Sequence, residues 1–134
     1  MNKKNFKFSP GNIWSGAGKG LSVLTNPTEL AHRKGTLKKH YPVRFKGLIY
    51  PDAEAAYQAH KMSLPRFPLM VEILVCKLHQ HPLVYETLKN SGGVRFLSQC
   101  SHTVYGRSWW EGIGEESPFI RALQSAYSQI EKEL

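Results

Sequence analysis

The chain reads YPDAEAAYQAHK from Tyr50 to Lys61, and this stretch decides the fold because it starts a helix with a polar stripe. Glu54, Gln58 and Lys61 fall within two turns and share one face, since a helix repeats every ~3.6 residues. Pro51 suits the first helical turn, and acidic residues there complement the positive end of the helix dipole. The stripe predicts either a catalytic carboxylate or an ordinary solvated helix face, and the spacing leaves both open.

Length and composition are typical of one globular domain. We predict a single domain over residues 1–134, with 41% hydrophobic residues and a basic, flexible segment at residues 1–11. No apolar run approaches the ~20 residues of a membrane span, and the first residues lack the apolar core of a signal peptide. We therefore expect a cytoplasmic protein with no membrane partner, in which Cys76 and Cys100 are reduced thiols.

Positive charge is concentrated in the first third of the chain. Residues 1–50 carry ten Lys or Arg and one Glu, a net charge of +9. Residues 51–134 carry eight basic and nine acidic groups, a net charge of −1, which gives +8 for the whole chain. Such a basic segment favours nucleic acid or a phosphate-bearing substrate as partner, although many basic proteins bind no specific polyanion.

Turn and cap signals predict an α+β fold that is mostly helical, with a few short strands in the N-terminal half. Residues 42–45 and 48–50, separated by Lys46-Gly47, predict a hairpin that leads into the helix described above. Residues 12–14 and 21–24 are two further candidates for short strands. Later helices are predicted at residues 68–80, at 82–88, in a short segment through Leu97, and from Pro118 onward.

The last predicted helix has the clearest signals. Ser117 is the expected N-cap and Pro118 the first helical residue. An apolar stripe at helical spacing then indicates core packing and consists of Ile120, Leu123, Tyr127, Ile130 and Leu134.

A loop at residues 100–114 combines glycines, a carboxylate and two adjacent tryptophans without helical or strand periodicity. Loops of this composition carry function more often than they carry packing. Trp109 and Trp110 would together clamp a flat ring, or one of them would fill the core.

Two further motifs leave alternatives open. The Gly16–Gly20 segment lacks the Gly-Lys-Ser/Thr ending of a triphosphate-binding loop, so it is a surface turn or a loop whose amides approach a phosphate or ribose. Cys76 with His79 and Cys100 with His102 have metal-ligand residue types but no zinc-finger context.

The stretch from Tyr41 through Lys61 resembles the NADAR superfamily of YbiA-like N-glycosidases. In that family a strand pair leads into a helix that reads aromatic-Pro-x-x-Glu and then aromatic-Gln-x-x-Lys. The loop from Trp110 to Gly114 is similar to the family's Trp-Gly-x-Gly loop with one residue inserted or shifted. Trp14-Ser15, Leu21-Ser22 and Asn26-Pro27 resemble its N-terminal aromatic-Ser and Leu-Ser-Asn-Phe segments, so the similarity spans about residues 12–134.

The resemblance implies hydrolysis of the bond between a ribose-type sugar and a nitrogenous base. Family substrates include riboflavin-pathway intermediates and ADP-ribose attached to guanine in nucleic acid. Glu54 would stabilise the oxocarbenium-like sugar or activate water, Lys61 would form a Schiff base or contact a phosphate, and Glu111 would assist proton transfer. The predicted substrate-binding residues are Trp14, Ser15, Ser22, Asn26, Tyr57, Trp109, Trp110 and Gly112. This chemistry needs no metal and no cofactor.

Three departures from the family pattern concern the substrate more than the fold. Ala55 replaces the usual His after the glutamate, residues 118–121 replace Asn-x-Leu-Gly, and residues 29–40 resemble an insertion. The pattern resembles a divergent, phage-type branch. The basic first third favours ADP-ribose linked to nucleic acid, and the alternatives are YbiA-like hydrolysis of riboflavin-pathway intermediates or non-catalytic nucleic-acid binding.

Overall fold

A β-hairpin leads into the helix of the central stretch in the computed structural model, which describes residues 6–134. Its strands are β1 (Val43–Phe45) and β2 (Leu48–Tyr50), which pair antiparallel. Lys46 and Gly47 between them have φ of 51° and 84°. Two successive residues in the left-handed region are typical of a tight hairpin turn, because its twist matches that of the strands. The predicted hairpin is confirmed.

The helix that follows, α2 (Ala53–His60), is capped by a buried aspartate. One carboxylate oxygen of Asp52 accepts the N–H of Ala55 at 2.9 Å, and the other accepts the N–H of Glu29 at 3.0 Å. Asp52 therefore joins α2 to the preceding helix as well as capping it. The prediction for Pro51 was wrong by two positions, since it precedes the cap and lies outside the first turn.

Six α-helices occur within residues 6–134, and their largest mutual contact is between α3 (Arg66–Gln80) and α6 (Pro118–Glu133). With the two small antiparallel sheets, they confirm the α+β class. Besides α2 they are α1 (Thr28–Lys34), α3 (Arg66–Gln80), α4 (Pro82–Ser91), α5 (Val94–Ser98) and α6 (Pro118–Glu133).

Helix α6 begins as its sequence predicts. The Ser117 hydroxyl oxygen accepts the N–H of Ile120 at 3.2 Å, and Pro118 is the first helical residue. The apolar stripe is buried as far as Ile130. Leu134 was wrongly included in it, because the helix ends at Glu133 and the Leu134 side chain is 82% exposed.

The N-terminal third differs most from expectation. Residues 21–24 form a 3₁₀ helix (Leu21–Leu24) instead of a strand, and residues 12–14 contribute a single bridge, from Asn12 to Ser101. Half of the segment regarded as an insertion folds as α1. Strands are not confined to the N-terminal half, because β3 (Ser101–His102) pairs with β4 (Gly112–Ile113). These strands are too short to show alternating periodicity in the sequence.

Residues 1–5 of the predicted basic, flexible N-terminus lie outside the described residues. Within the described part of that segment, Phe8 contacts the core. Phe8 is buried, its ring centroid lies 6.0 Å from that of Phe96, and its N–H donates to the Ser91 hydroxyl at 2.7 Å. The Phe8 ring therefore fixes this position of the segment against the core, since a buried aromatic side chain contributes a large apolar contact area.

A lysine lies fully buried within α3. The Lys77 ammonium donates to the carbonyl oxygens of Val23 at 2.6 Å and Thr25 at 2.7 Å, and so anchors the end of the 3₁₀ helix. Burial lowers its pKa from 10.5 to about 7, although nearby Asp52 opposes the shift. The sequence gives no sign of this contact, because Val23 and Thr25 lie 54 and 52 positions from Lys77.

Two other expectations concern cysteines and membranes. Cys76 is partly buried, Cys100 is buried, and both are free thiols, as predicted. Across residues 6–134, every helix is too short or too polar to cross a membrane.

Candidate active site

A cavity of about 430 Å³ lies where α1, α2 and the loop after β3 meet. This volume is within the range of small-molecule sites. Seven of the eleven predicted site residues line the cavity, namely Trp14, Ser15, Asn26, Glu54, Tyr57, Trp110 and Glu111. The other four, Ser22, Lys61, Trp109 and Gly112, do not.

Glu54 lies in the first turn of α2 and is partly exposed to the cavity. Its carboxylate accepts a hydrogen bond from the Gln58 amide at 2.7 Å, which confirms that the two side chains share one face. The Glu54 N–H also donates to the Asn26 carbonyl at 3.3 Å. Gln58 therefore orients the carboxylate, and the carbonyl before α1 positions the Glu54 backbone at the start of α2.

Glu111 organises the loop between β3 and β4. One of its carboxylate oxygens accepts the N–H groups of Val104 at 2.8 Å and Gly106 at 2.7 Å, and the other accepts that of Tyr105 at 3.2 Å. Desolvation raises the pKa of Glu111, but these backbone donors outweigh it and hold the pKa below its ordinary value. A carboxylate that remains ionised and accepts three hydrogen bonds is poorly suited to donate the proton predicted for it.

Aromatic side chains form two walls of the cavity. Tyr57 and Trp110 meet edge to face with ring centroids 5.6 Å apart. Trp14 is 37% exposed and lies against Gly16, where a Cβ atom would come within 2.5 Å of the indole. Gly16 lies in a turn, as one of the two interpretations of this glycine-rich segment predicts, and the Ala17 N–H closes that turn by donating to the Trp14 carbonyl at 3.1 Å. This glycine is needed because the ring leaves no space for a side chain.

The cavity's cation comes from α1. The Lys34 ammonium donates to the Ser15 hydroxyl at 2.6 Å and lies 4.9 Å from the centroid of the Trp14 ring. Lys61 is exposed outside the cavity lining. Glu54 and Lys61 are seven positions apart, which corresponds to about 10 Å along a helix axis, so a shared face does not bring the two into one site. The sequence does not mark Lys34 as a site residue, because residues 29–40 resemble an insertion in the family pattern.

Three other predicted binding residues do not line the cavity and pack against other parts of the protein. Trp109 is 45% exposed and stacks with the Arg66 guanidinium, 3.8 Å from its ring centroid. Ser22 is fully buried in the 3₁₀ helix. Gly112 belongs to β4, and a Cβ atom there would come within 2.8 Å of the Ser117 backbone nitrogen. Only the second of the two adjacent tryptophans therefore lines the cavity.

His102 also lines the cavity, although sequence analysis considered it only as a metal ligand. Its Nδ1 lies 2.8 Å from the Ile13 carbonyl oxygen, and its ring centroid lies 4.6 Å from that of Phe119. Burial lowers its pKa, while the Ile13 carbonyl and the carboxylates of Glu111 and Glu54 oppose the shift. Within residues 6–134 no group of three or more His, Cys, Asp or Glu side chains could hold a metal ion.

Taken together, the cavity contains two carboxylates, a histidine and a lysine between aromatic walls. Such a set can stack a planar ring, attract an anionic group and stabilise a positively charged sugar. Comparisons of the chain with protein-family models, curated proteins and solved structures gave no match, so its function has to be inferred from the cavity itself.

Proposed function

We propose that this protein is an N-glycosidase that hydrolyses a ribosyl-base or ADP-ribosyl-base bond. The proposal depends above all on one observation, that Glu54 shares a cavity with the aromatic side chains of Trp14, Tyr57 and Trp110. A carboxylate beside stacking surfaces suits a substrate with a flat base and a sugar that becomes cationic during the reaction. The resemblance to the NADAR superfamily points to the same chemistry.

Glu54 would act on the sugar. As the bond from the anomeric carbon to the base breaks, the sugar gains oxocarbenium character, and a nearby carboxylate stabilises that positive charge. The hydrogen bond from Gln58 limits the rotation of Glu54 without neutralising it. Such preorganisation lowers the barrier because the group needs no reorientation during the reaction.

Lys34 would bind the phosphate of the substrate. Its ammonium is exposed at the cavity, hydrogen-bonded to Ser15 and close to the face of Trp14. A phosphoryl group beside Lys34 would leave the attached ribose or base to stack on Trp14. Asn26, which is buried and lines the cavity, would contribute to the shape of the sugar site.

ADP-ribose linked to guanine in nucleic acid is the substrate class we favour. All eight Lys and Arg side chains within residues 6–50 are exposed, so the charge of this segment is available to a polyanion. The same observation supports a second candidate function, a nucleic-acid-binding protein without catalytic activity. YbiA-like hydrolysis of riboflavin-pathway intermediates would use the same cavity with a free nucleotide substrate.

The decisive experiment measures base release from ADP-ribosylated guanine DNA and from ribosylaminopyrimidine phosphates. We expect release by the wild type and its loss in Glu54→Gln, which has the same size but no charge. Glu86→Gln is the matched control, because Glu86 is exposed on α4 and outside the cavity. Circular dichroism verifies that each variant is folded.

The same assay separates the alternatives. Faster turnover of the free nucleotide than of the oligonucleotide would contradict the nucleic-acid-linked substrate. No release from either substrate, together with salt-sensitive DNA binding that Glu54→Gln leaves unchanged, would refute the enzyme and favour the binding protein.

A further inference from the structure

The tautomer of His102 is determined by its backbone neighbour. Nδ1 lies 2.8 Å from the carbonyl oxygen of Ile13, and a carbonyl can only accept a hydrogen bond, so Nδ1 must carry the proton. Within residues 6–134 no hydrogen bond is made by Nε2, and the ring packs against Phe119 at the cavity. The imidazole is therefore held in one orientation with a basic nitrogen that is free to accept.

The charged groups that face this ring are two carboxylates. Glu54 on α2 and Glu111 in the loop before β4 both favour the imidazolium, whereas burial favours the neutral ring and has the larger effect. The pKa of His102 consequently lies below its ordinary value of 6.5. At neutral pH the imidazole is uncharged, and its Nε2 lone pair is available.

We propose that His102 is the general base of this site, with Nε2 accepting the proton of the water that attacks the sugar. This assignment rests on the proposed N-glycosidase function. It divides the work among the histidine and the two carboxylates of the cavity, because Glu54 stabilises the cationic sugar and Glu111 is occupied by the loop amides. A histidine is the more efficient base near neutral pH, since the best catalytic pKa lies close to the working pH.

The reaction balances without a further reactant. One proton of water passes to Nε2, and the remaining hydroxide forms a bond to the anomeric carbon. The bond from that carbon to the base nitrogen breaks, and its electron pair stays on the nitrogen. The imidazolium proton of His102 then passes to that nitrogen, which releases the neutral base and restores the neutral histidine.

The test combines kinetics with a readout that needs no substrate. His102→Asn keeps an amide that can donate to the Ile13 carbonyl but removes Nε2. We expect kcat/KM to fall about 100-fold or more and the acidic limb of the pH profile to disappear. His79→Asn is the control, because His79 is exposed and pairs with Glu133 away from the cavity. Nitrogen-15 NMR of the wild type should show His102 protonated at Nδ1 at neutral pH.

The outcomes distinguish the inference from the function on which it rests. If His102→Asn turns over substrate at the wild-type rate and with the same acidic limb of the pH profile, the role of His102 is overturned. The proposed N-glycosidase function is unaffected by that result. An Nε2-protonated tautomer at neutral pH would overturn it as well. Absence of wild-type turnover on every substrate would refute the proposed function itself.

Discussion

Replacement of Lys77 by methionine tests how the buried ammonium controls stability. Lys77 is fully buried in α3 and donates to the carbonyls of Val23 and Thr25, next to the cavity wall. Its pKa falls from 10.5 to about 7 on folding, chiefly because burial disfavours the charged form. Lys77→Met keeps a long apolar side chain of similar reach and removes the titrating group.

The expected pH dependence follows from the two pKa values. Between about pH 7 and pH 10.5 the unfolded chain binds one more proton than the folded chain at Lys77, so its contribution to stability rises with pH through this window. At 1.36 kcal/mol per pKa unit the full effect is about 5 kcal/mol, of which about 2 kcal/mol appears between about pH 7 and pH 9. When the pH falls through about 7, Lys77 becomes protonated in the folded chain as well. The remaining part of this pH-dependent stabilisation is then lost.

The free energy of unfolding should be measured in urea at about pH 7 and about pH 9 for both proteins. The wild type should gain about 2 kcal/mol more than Lys77→Met over this interval. The cysteines also titrate at alkaline pH, but they are common to both proteins and cancel in the difference. Equal pH dependence would refute the assignment of a depressed pKa to Lys77.

The absolute stability of the variant is a less decisive quantity. Methionine avoids the cost of burying an ammonium, but it leaves the carbonyls of Val23 and Thr25 without donors, at about 1–3 kcal/mol each. These effects oppose each other, so the difference at pH 7 should be small. The slope with pH isolates the ionisation of Lys77 from both.

Two further predictions concern the cavity and its support. Lys34→Ala should raise the KM for a phosphorylated substrate about tenfold or more, because it removes a charge-assisted contact. Lys61→Ala should leave the KM unchanged. Equal effects of the two substitutions would contradict the placement of Lys34 as the anion site. Gly112→Ala should lower the free energy of unfolding, measured by urea titration, by about 1–3 kcal/mol, because the new Cβ meets the rigid backbone at Ser117. An unchanged free energy of unfolding would show that this contact relaxes freely.

Local signals predicted much of the secondary structure. The hairpin turn at Lys46-Gly47 and the cap at Ser117 each involve residues within about four positions of one another, so the sequence contains all the partners. The 3₁₀ helix at residues 21–24 was missed because short apolar segments fit a strand or a helix equally well. Strands β3 and β4 were missed because each has only two residues.

The sequence indicated the types of side chain in the cavity better than it indicated which individual residues line the cavity. The helical spacing correctly grouped Glu54 with Gln58, which are hydrogen-bonded. The same spacing placed Lys61 on that face, but Lys61 does not line the cavity, because periodicity gives the angle around a helix and ignores distance along it. Lys34 and His102 had no pattern in common with Glu54, and packing brings them to the same cavity.

The sequence by itself determined the helix caps, the hairpin and the residue types of the candidate chemistry, since these depend on contacts between near neighbours and on composition. The tertiary structure alone decided that Lys34 provides the cavity's cation, that Ile13 orients His102, and that Lys77 is buried beneath the 3₁₀ helix. Each of these depends on groups between 19 and 89 positions apart. Packing of the whole chain brings such groups together, and no local pattern encodes their distance.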